Sequence, residues 1–159
     1  MTVSAPPDPS RTASGVRSLV GVLEITESSI MDDPQRAEHT LNRLSERGFK
    51  LSIDDFGTGY SSLAYLKRLP VDELKIDKSF VMGMEAGEDD AMIVRSTIDL
   101  AHNLGLGVVA EGVENADVLE QLRALSCDEA QGYHIGRPLP VDGFLAWLQK
   151  QAQATAVAA

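Results

Sequence analysis

The chain has 159 residues, of which 43% are hydrophobic and 24% are charged, and its formal net charge is -10 at pH 7. This composition is typical of one globular domain and excludes an intrinsically disordered chain. The charge excludes a protein that binds DNA through its phosphates, because such binding needs many lysines and arginines. A smaller phosphate ligand would require metal ions or local cations to offset the acids around it.

The sequence also bears on the compartment. No apolar run approaches the roughly 18 residues of a membrane helix. The first residues lack the charged-then-apolar order typical of a signal peptide. We therefore expect no membrane span and a cytoplasmic location. Cys127 is the only cysteine, so an intramolecular disulfide and a thiolate metal cluster are excluded.

Composition divides the chain into three parts. Residues 1–18 are rich in Pro, Ser, Thr and Ala without sustained periodicity, which predicts a disordered leader. Residues 19–151 switch between apolar patterns of period two and period 3.6, as strands and helices require. They are predicted to fold as one domain. Residues 152–159 are predicted to be a flexible tail.

The periodic part predicts strands that alternate with helices. The predicted strands are Gly21–Thr26, Phe49–Asp55, Glu73–Asp77, Leu106–Glu111 and Asp128–Gln131. The predicted helices are one capped by Asp33 and ending at Gly48, one capped by Ser61 or Ser62, one near Asp90 to Leu104, one capped by Asn115, and one from Val141 to Lys150. This α/β order implies parallel strands joined by right-handed crossovers. Either an open doubly wound sheet or part of a (β/α) barrel satisfies it.

Strand alternation separates apolar from ionisable residues. Alternate residues of a strand face opposite ways, so Leu51 and Ile53 share one face and Ser52 and Asp54 share the other. The same rule assigns further residues to the polar face: Glu24, Lys75, Asp77, Val109 and Glu111. They lie near the carboxyl ends of their strands, where active sites of barrels and open α/β sheets are built.

Four carboxylates near these strand ends are hard oxygen ligands that suit magnesium or manganese. They belong to Glu24, Asp54, Asp55 and Glu111. Two such ions about 3.5 to 4 Å apart can bridge a phosphodiester, lower the pKa of a water and stabilise the leaving oxygen. Lys75 points into the same space and can neutralise charge or position that water. A single Asp-Asp pair is more typical of surface charges or helix caps, but four acids and a lysine favour a metal site.

Five segments of the sequence follow one another in this order: LEITES (Leu23–Ser28), IDDFGTGYSSL (Ile53–Leu63), LKIDKSFV (Leu74–Val81), VVAEGVE (Val108–Glu114) and QGYHIGRPLP (Gln131–Pro140). In order and spacing they resemble the later motifs of the EAL-family phosphodiesterases. The resemblance covers about Leu23 to Leu148. It implies a partial TIM-like (β/α) barrel with roughly the last five strand-helix units, so residues 19–151 would be a partial EAL domain. The implied reaction is hydrolysis of one phosphodiester of cyclic-di-GMP to the linear dinucleotide, with Mg or Mn as the cofactor.

The resemblance also implies roles for individual residues. The metal ligands would be Glu24, Asp54, Asp55 and Glu111, and the catalytic residues Lys75, Glu111 and Asp54. Lys75 resembles the lysine that contacts the nucleophilic water or the metal site. Glu27 is similar to the glutamate that anchors the loop after the Asp-Asp pair. Supporting or ligand-binding residues would be Glu114, Gln131 and Arg137.

The resemblance departs at its beginning, and alternatives stay open. The Glu-Ala-Leu triplet that names the family does not occur in this sequence. Three residues of the family therefore have no counterpart: the glutamate of that triplet, the arginine downstream of it and an asparagine metal ligand. One reading is a hydrolase that is weak or inactive as an isolated chain. The other is a catalytically dead module that senses cyclic-di-GMP or binds a protein. An open sheet that binds another small phosphate compound rests only on the generic α/β pattern.

The expected partners follow from the same resemblance and from geometry. The ligand would be cyclic-di-GMP or a related small nucleotide. Five strands of a barrel do not close, so Val22, Val109 and an unpaired strand edge would meet water. An exposed edge invites pairing with another chain. We therefore expect a homo-oligomer or a partner that completes the barrel.

Overall fold

The structure is a computed structural model that describes residues 21–58, 63–85 and 87–157. The strands are β1 (Val22–Thr26), β2 (Lys50–Phe56), β3 (Glu73–Ile76), β4 (Gly107–Glu111) and β5 (Glu129–Gln131). The helices are α1 (Glu27–Asp32), α2 (Pro34–Ser45), α3 (Leu63–Leu66), α4 (Lys78–Gly83), α5 (Glu88–Asn103), α6 (Ala116–Ala124) and α7 (Val141–Val157). The predicted leader, residues 1–18, and the predicted caps Ser61 and Ser62 lie outside the described residues.

The five strands form one parallel sheet in chain order, from β1 at one edge to β5 at the other. A doubly wound sheet would reverse its strand order at a switch point. The sequential order therefore excludes that alternative and is the order of consecutive strands in a (β/α) barrel. The predicted fold class, part of such a barrel, is confirmed.

The apolar face of the sheet packs against the helices to form the core. The buried strand residues are Leu51, Ile53, Leu74, Ile76, Val108 and Ala110, and the helices add Leu41, Val94, Ile98, Ala101, Val118 and Leu122. Each large aliphatic side chain buried here contributes about 1.5–3 kcal/mol relative to exposure. This packing holds the strands in register and leaves the opposite face for ionisable groups.

Two aspartates, each just before one strand, accept a hydrogen bond from the beginning of the neighbouring strand. Asp72, immediately before β3, accepts a hydrogen bond through Oδ2 from the Leu51 backbone N–H at 2.8 Å. Asp128, immediately before β5, accepts from the Val108 N–H at 2.9 Å, and its Oδ2 lies 2.9 Å from His102 Nε2. Each carboxylate thus satisfies a strand N–H that the sheet ladder does not pair. The sequence places Asp128 inside the last strand, whereas the structure begins that strand at Glu129.

The sequence missed two short helices that follow strands directly. The Thr26 hydroxyl lies 3.4 Å from the Ser29 backbone N at the beginning of α1. Asp77 accepts from the Ser79 N–H at 2.9 Å at the beginning of α4. The prediction of Asp77 as a strand residue is therefore wrong, because its short side chain caps a helix instead. The other strand bounds agree with prediction to within one residue.

Two further observations differ from expectation. Helix α7 continues to Val157, into the segment 152–159 that the sequence predicts to be a flexible tail. Alanine and glutamine favour helix there. Val109, which an open barrel was expected to expose, is only 2% exposed, whereas Val22 is 45% exposed. The division into leader, domain and tail stays a prediction.

We expect the substitution Asp72→Ala to lower the free energy of unfolding by about 1–2 kcal/mol, because the partly buried Leu51 N–H would lose its acceptor. Urea denaturation measures this. The matched control is Asp99→Ala, since Asp99 is exposed and 4.0 Å from Arg95; its effect should stay within about 0.5 kcal/mol. Equal effects of the two substitutions would contradict the proposed contribution of Asp72.

Candidate functional site

A buried lysine lies at the centre of the polar face of the sheet. The Lys75 side chain is 5% exposed, and its Nζ lies 2.6 Å from Glu111 Oε1, 2.9 Å from Glu24 Oε1 and 3.1 Å from Asp54 Oδ1. The acids come from β4, β1 and β2, so one ammonium group on β3 joins four strands. Each of its three donors has a carboxylate within reach.

The charge of this lysine is set by its neighbours. Burial by itself lowers the pKa of Lys75, but the hydrogen-bonded carboxylates of Glu111, Glu24 and Asp54 outweigh burial and raise the pKa above its ordinary value. Lys75 therefore stays protonated throughout the physiological range. The strand alternation read from the sequence correctly brings these four side chains together.

Asp54 and Asp55 contribute to one cluster although consecutive strand residues normally face opposite sides. Asp55 has a φ of 55°, in the left-handed region, and the pairing of β2 with β3 is irregular between Ile53 and Phe56. Such an irregularity re-aims a side chain. As a result, one carboxylate oxygen from each of Asp54, Asp55 and Glu111 lies within 4.8 Å of the others.

The electrostatics of this cluster fit a divalent cation. Burial raises the pKa of Asp55, and the nearby carboxylates of Asp54, Asp77 and Glu111 raise it further. The carboxylates of the cluster together carry more negative charge than the single positive charge of Lys75 neutralises. Hard carboxylate oxygens at this spacing suit magnesium or manganese. Asp54, Asp55 and Glu111 are the residues that would hold an ion first, since one oxygen of each lies within 4.8 Å of the others, whereas the Glu24 side chain is 53% exposed.

The turn after the two aspartates is attached to the beginning of α1. Glu27 is 2% exposed, and its Oε2 accepts a hydrogen bond from the Gly57 N–H at 3.0 Å. Gly57 has a φ of 99°, which L side chains rarely adopt, and a Cβ placed there would lie 3.2 Å from the Phe80 ring. Glu27 therefore contacts the loop that it was predicted to anchor. Its functional role stays a prediction.

The three predicted supporting residues, Gln131, Arg137 and Glu114, differ in how they are placed relative to the acidic cluster. Gln131 ends β5 and pairs in register with Glu111, so it lies beside the carboxylates. The Arg137 guanidinium is 4.5 Å from the centroid of the Tyr133 ring, beyond the end of β5. Glu114 is exposed, and within the described part of the chain no hydrogen bond or ion pair joins it to the cluster.

Two polar residues on this face were given no role by the sequence. Ser52 is fully buried, and its hydroxyl has no hydrogen-bond partner among the described residues. Glu129 pairs in register with Val109, which places it on the same face as Lys75. The signal that could have found them is strand parity, because Ser52 precedes Asp54 by two positions and Glu129 precedes Gln131 by two.

The parallel sheet with its strands in chain order, and with a carboxylate cluster near their carboxyl ends, places the chain in the class of (β/α) barrel folds. Residues 18–138 match the sequence model described as the EAL domain. The chain belongs to the EAL domain family.

Curated relatives are several times longer than the region they share with this chain. MucR of Pseudomonas aeruginosa, described as a bifunctional diguanylate cyclase/cyclic di-GMP phosphodiesterase, is 49% identical over 125 residues, which are 79% of this chain and 18% of MucR. The cyclic di-GMP phosphodiesterase NbdA of the same organism is 51% identical over 119 residues, which are 75% of this chain and 15% of NbdA.

Solved structures of EAL domains share the fold. The MucR phosphodiesterase of Pseudomonas aeruginosa in complex with c-di-GMP has a TM-score of 0.76 and 48% identity, and the match covers 77% of this chain and 50% of that one. The EAL domain of DcpA from Mycobacterium smegmatis has a TM-score of 0.74 and 44% identity, covering 81% and 58%. The chain thus spans about half the length of these structures. Its sheet corresponds to part of their TIM-like barrel. Among the helices of the described part, none is long and apolar enough to cross a membrane.

We expect Lys75→Met to lower the free energy of unfolding by about 3–5 kcal/mol at pH 7, because three carboxylates would lose their shared buried cation. The raised pKa of Lys75 sets the pH window. Its contribution is fully present below the unfolded-state pKa of about 10.4 and is lost only as the pH rises through the higher folded-state pKa. In thermal denaturation from pH 6 to 9, the loss of stability caused by Lys75→Met should therefore be the same at every pH.

The control for this prediction is Lys78→Met, at the exposed beginning of α4. Its effect should stay within about 0.5 kcal/mol. A Lys75→Met protein as stable as the Lys78→Met protein would show that the buried ammonium does not hold the strands together.

Proposed function

We propose that this chain forms the later half of a metal-dependent phosphodiesterase site that hydrolyses one phosphodiester of cyclic-di-GMP to the linear dinucleotide. The observation that carries the proposal is the convergence of Asp54, Asp55 and Glu111 within 4.8 Å of one another, beside a buried lysine. Membership of the EAL family and the names of the relatives, which are cyclic di-GMP phosphodiesterases, support the substrate. A cytoplasmic location is part of the proposal.

The residues of this chain would have different roles in the reaction. Asp54, Asp55 and Glu111, with Glu24, would hold Mg or Mn, and bound ions of this kind supply an activated water and stabilise the leaving oxygen. Lys75, already protonated, would keep that water and the phosphodiester oxygens in place. Gln131 lies beside Glu111 in the sheet and would orient its carboxylate. Glu114, exposed in the segment after β4, would contact the bound nucleotide. Arg137 would meet the ligand at the rim.

A second candidate is a module that binds cyclic-di-GMP or a protein without turnover. It is favoured by the extent of the match, since the chain spans about half of solved EAL chains. The isolated chain would then present one wall of a nucleotide site. Binding of cyclic-di-GMP with no release of linear product distinguishes this candidate from the hydrolase.

The proposal is tested by metal binding and turnover together. We expect Mg or Mn to bind the chain weakly in calorimetry, with the double substitution Asp54→Asn and Asp55→Asn abolishing the heat, because hard cations require the ionised oxygens. Turnover of cyclic-di-GMP by the isolated chain should be undetectable or far below that of an intact EAL enzyme, since half of a site stabilises a transition state poorly. Chromatography of the linear dinucleotide measures it.

The decisive control exchanges the shared region in a relative that has the activity. Residues 18–138 of this chain would replace the matching segment of MucR, and the chimera should hydrolyse cyclic-di-GMP in a metal-dependent manner. Glu111→Ala in the chimera should reduce kcat by at least about 100-fold, whereas Asp99→Asn on the outside of α5 should not. A folded chimera that binds the metal but has no activity would reject the hydrolase proposal for these residues.

We also propose that the chain associates with itself or with a partner that completes the barrel. In the described part of the chain, β1 pairs only with β2 and β5 only with β4. Helix α7 exposes Val141, Leu145 and Leu148 by 74%, 52% and 38%. Open parallel edges and an uncovered apolar helix both favour association.

We expect the purified chain to be a dimer or larger in light scattering across a wide concentration range, and to bind a hydrophobic dye. The double substitution Leu145→Glu and Leu148→Glu should shift it toward monomer, because charge on the apolar face opposes burial. Gln149→Glu adds charge to the same helix and serves as the matched control. A stable monomer that binds no dye would contradict the open-barrel interpretation.

A further inference from the structure

A small, fully buried residue lies among the large charged side chains of the polar face of the sheet. Ser52 is 0% exposed, and its hydroxyl has no hydrogen-bond partner among the described residues. A buried polar group without a partner is costly, so such a residue is expected to have another use. Because the hydroxyl makes no bond in the described part of the chain, the property of Ser52 that matters there is its small size.

The strand pairing places Ser52 between the strands that carry Lys75 and Glu24. Ser52 pairs in register with Glu24 of β1 on one side and with Glu73 of β3 on the other. Lys75 follows Glu73 by two residues, so both face the same side of the sheet. Since neighbouring strands lie about 4.8 Å apart, the backbones of β1 and β3 are separated by about 10 Å, with β2 between them.

The ion pair between Lys75 and Glu24 therefore crosses β2. Lys75 Nζ lies 2.9 Å from Glu24 Oε1 and 3.1 Å from Asp54 Oδ1. At this crossing β2 presents Ser52, which is level with Glu24, and Asp54, which lies two positions further on. Asp54 contacts the ammonium group itself, which leaves Ser52 as the residue over which the lysine and glutamate side chains meet. A larger side chain at position 52 would need the space that they occupy, and packed interiors accommodate added volume poorly.

We propose that Ser52 is a positioning residue whose small side chain lets Lys75 reach across β2 to Glu24. The inference rests on the proposed function and deepens it, because Lys75 is the residue assigned there to the attacking water and the phosphodiester oxygens. Held by Glu24 as well as by Asp54 and Glu111, its ammonium group has one position rather than several. A misplacement of such a group by about 1 Å can lower a rate about 100-fold.

Three substitutions separate the size of Ser52 from its hydroxyl. Ser52→Ala removes the hydroxyl and keeps the space, Ser52→Thr keeps the hydroxyl and adds a methyl group, and Ser52→Val fills the space without a hydroxyl. Acetylation by an N-hydroxysuccinimide ester, followed by peptide mass spectrometry, measures how well Lys75 is protected in the purified chain. The exposed Lys78 is the internal reference.

We expect Lys75 to stay protected in Ser52→Ala, and the melting temperature not to fall, because the hydroxyl that is lost has no bond in the described structure. In Ser52→Thr and Ser52→Val, labelling of Lys75 should rise at least about tenfold toward that of Lys78, since the displaced ammonium group meets water. Val94→Ile is the matched control. Val94 is buried in the core on the helix side of the sheet, so the added methylene should leave Lys75 protected.

The labelling result decides the inference without metal or turnover, and so independently of the hydrolase proposal. If Lys75 is as well protected in folded Ser52→Val as in the unchanged chain, the inference is overturned. An equal loss of protection in Ser52→Ala would also overturn it, because the hydroxyl rather than the size of Ser52 would then hold the lysine. If Ser52→Val does not fold, Ser52→Thr decides in the same way.

The chimera with MucR tests the consequence for the reaction. Ser52→Val in the chimera should lower kcat about 100-fold and leave Mn binding in calorimetry no weaker, because the carboxylates that would hold the ion are unchanged. A fall in both would mean that Ser52 only supports the fold and would overturn the positioning role, as would an unchanged kcat. A chimera that is inactive without the substitution rejects the hydrolase proposal, and the labelling result alone then decides whether Ser52 positions Lys75.

Discussion

The buried ammonium group of Lys75 is the interaction on which the site depends. A lysine removed from water is costly unless its charge is paired and its donors are bonded. Here three carboxylates from three other strands satisfy it, so the strands must hold a register in which these acids converge. The apolar packing on the opposite face of the sheet provides the free energy for that arrangement. The charged face and the core are therefore two consequences of one set of strand pairings.

The same cluster carries more acid than Lys75 can neutralise. The bulge at Asp55 adds a further carboxylate to the face on which regular alternation places Glu24, Asp54 and Glu111. Burial, and after it the neighbouring carboxylates of Asp54, Asp77 and Glu111, raise the pKa of Asp55, and a divalent cation would relieve the repulsion between these acids. The spacing of these carboxylates and their excess charge both favour a metal site.

The turns around this site are held by their backbones. Gly57 is bonded to Glu27, and Gly132 packs against Val113. Binding groups are more effective when their supports are rigid before the ligand arrives. The turn after β2 would thereby keep Asp54 and Asp55 in place.

Local patterns in the sequence were sufficient for the five strands, for five of the seven described helices and for the polar face. Side-chain direction in a strand alternates with every residue, so Glu24, Asp54, Lys75 and Glu111 could be assigned to one face. Helix caps depend on a few neighbouring residues, and the predicted caps Asp33 and Asn115 are confirmed by bonds from the Arg36 and Val118 N–H groups. The tertiary structure decided the rest: which acids Lys75 binds, that Asp55 turns toward Asp54, and that Ser52 is buried with no hydrogen-bond partner among the described residues. These depend on register and contact between segments distant in the chain, which no local period encodes.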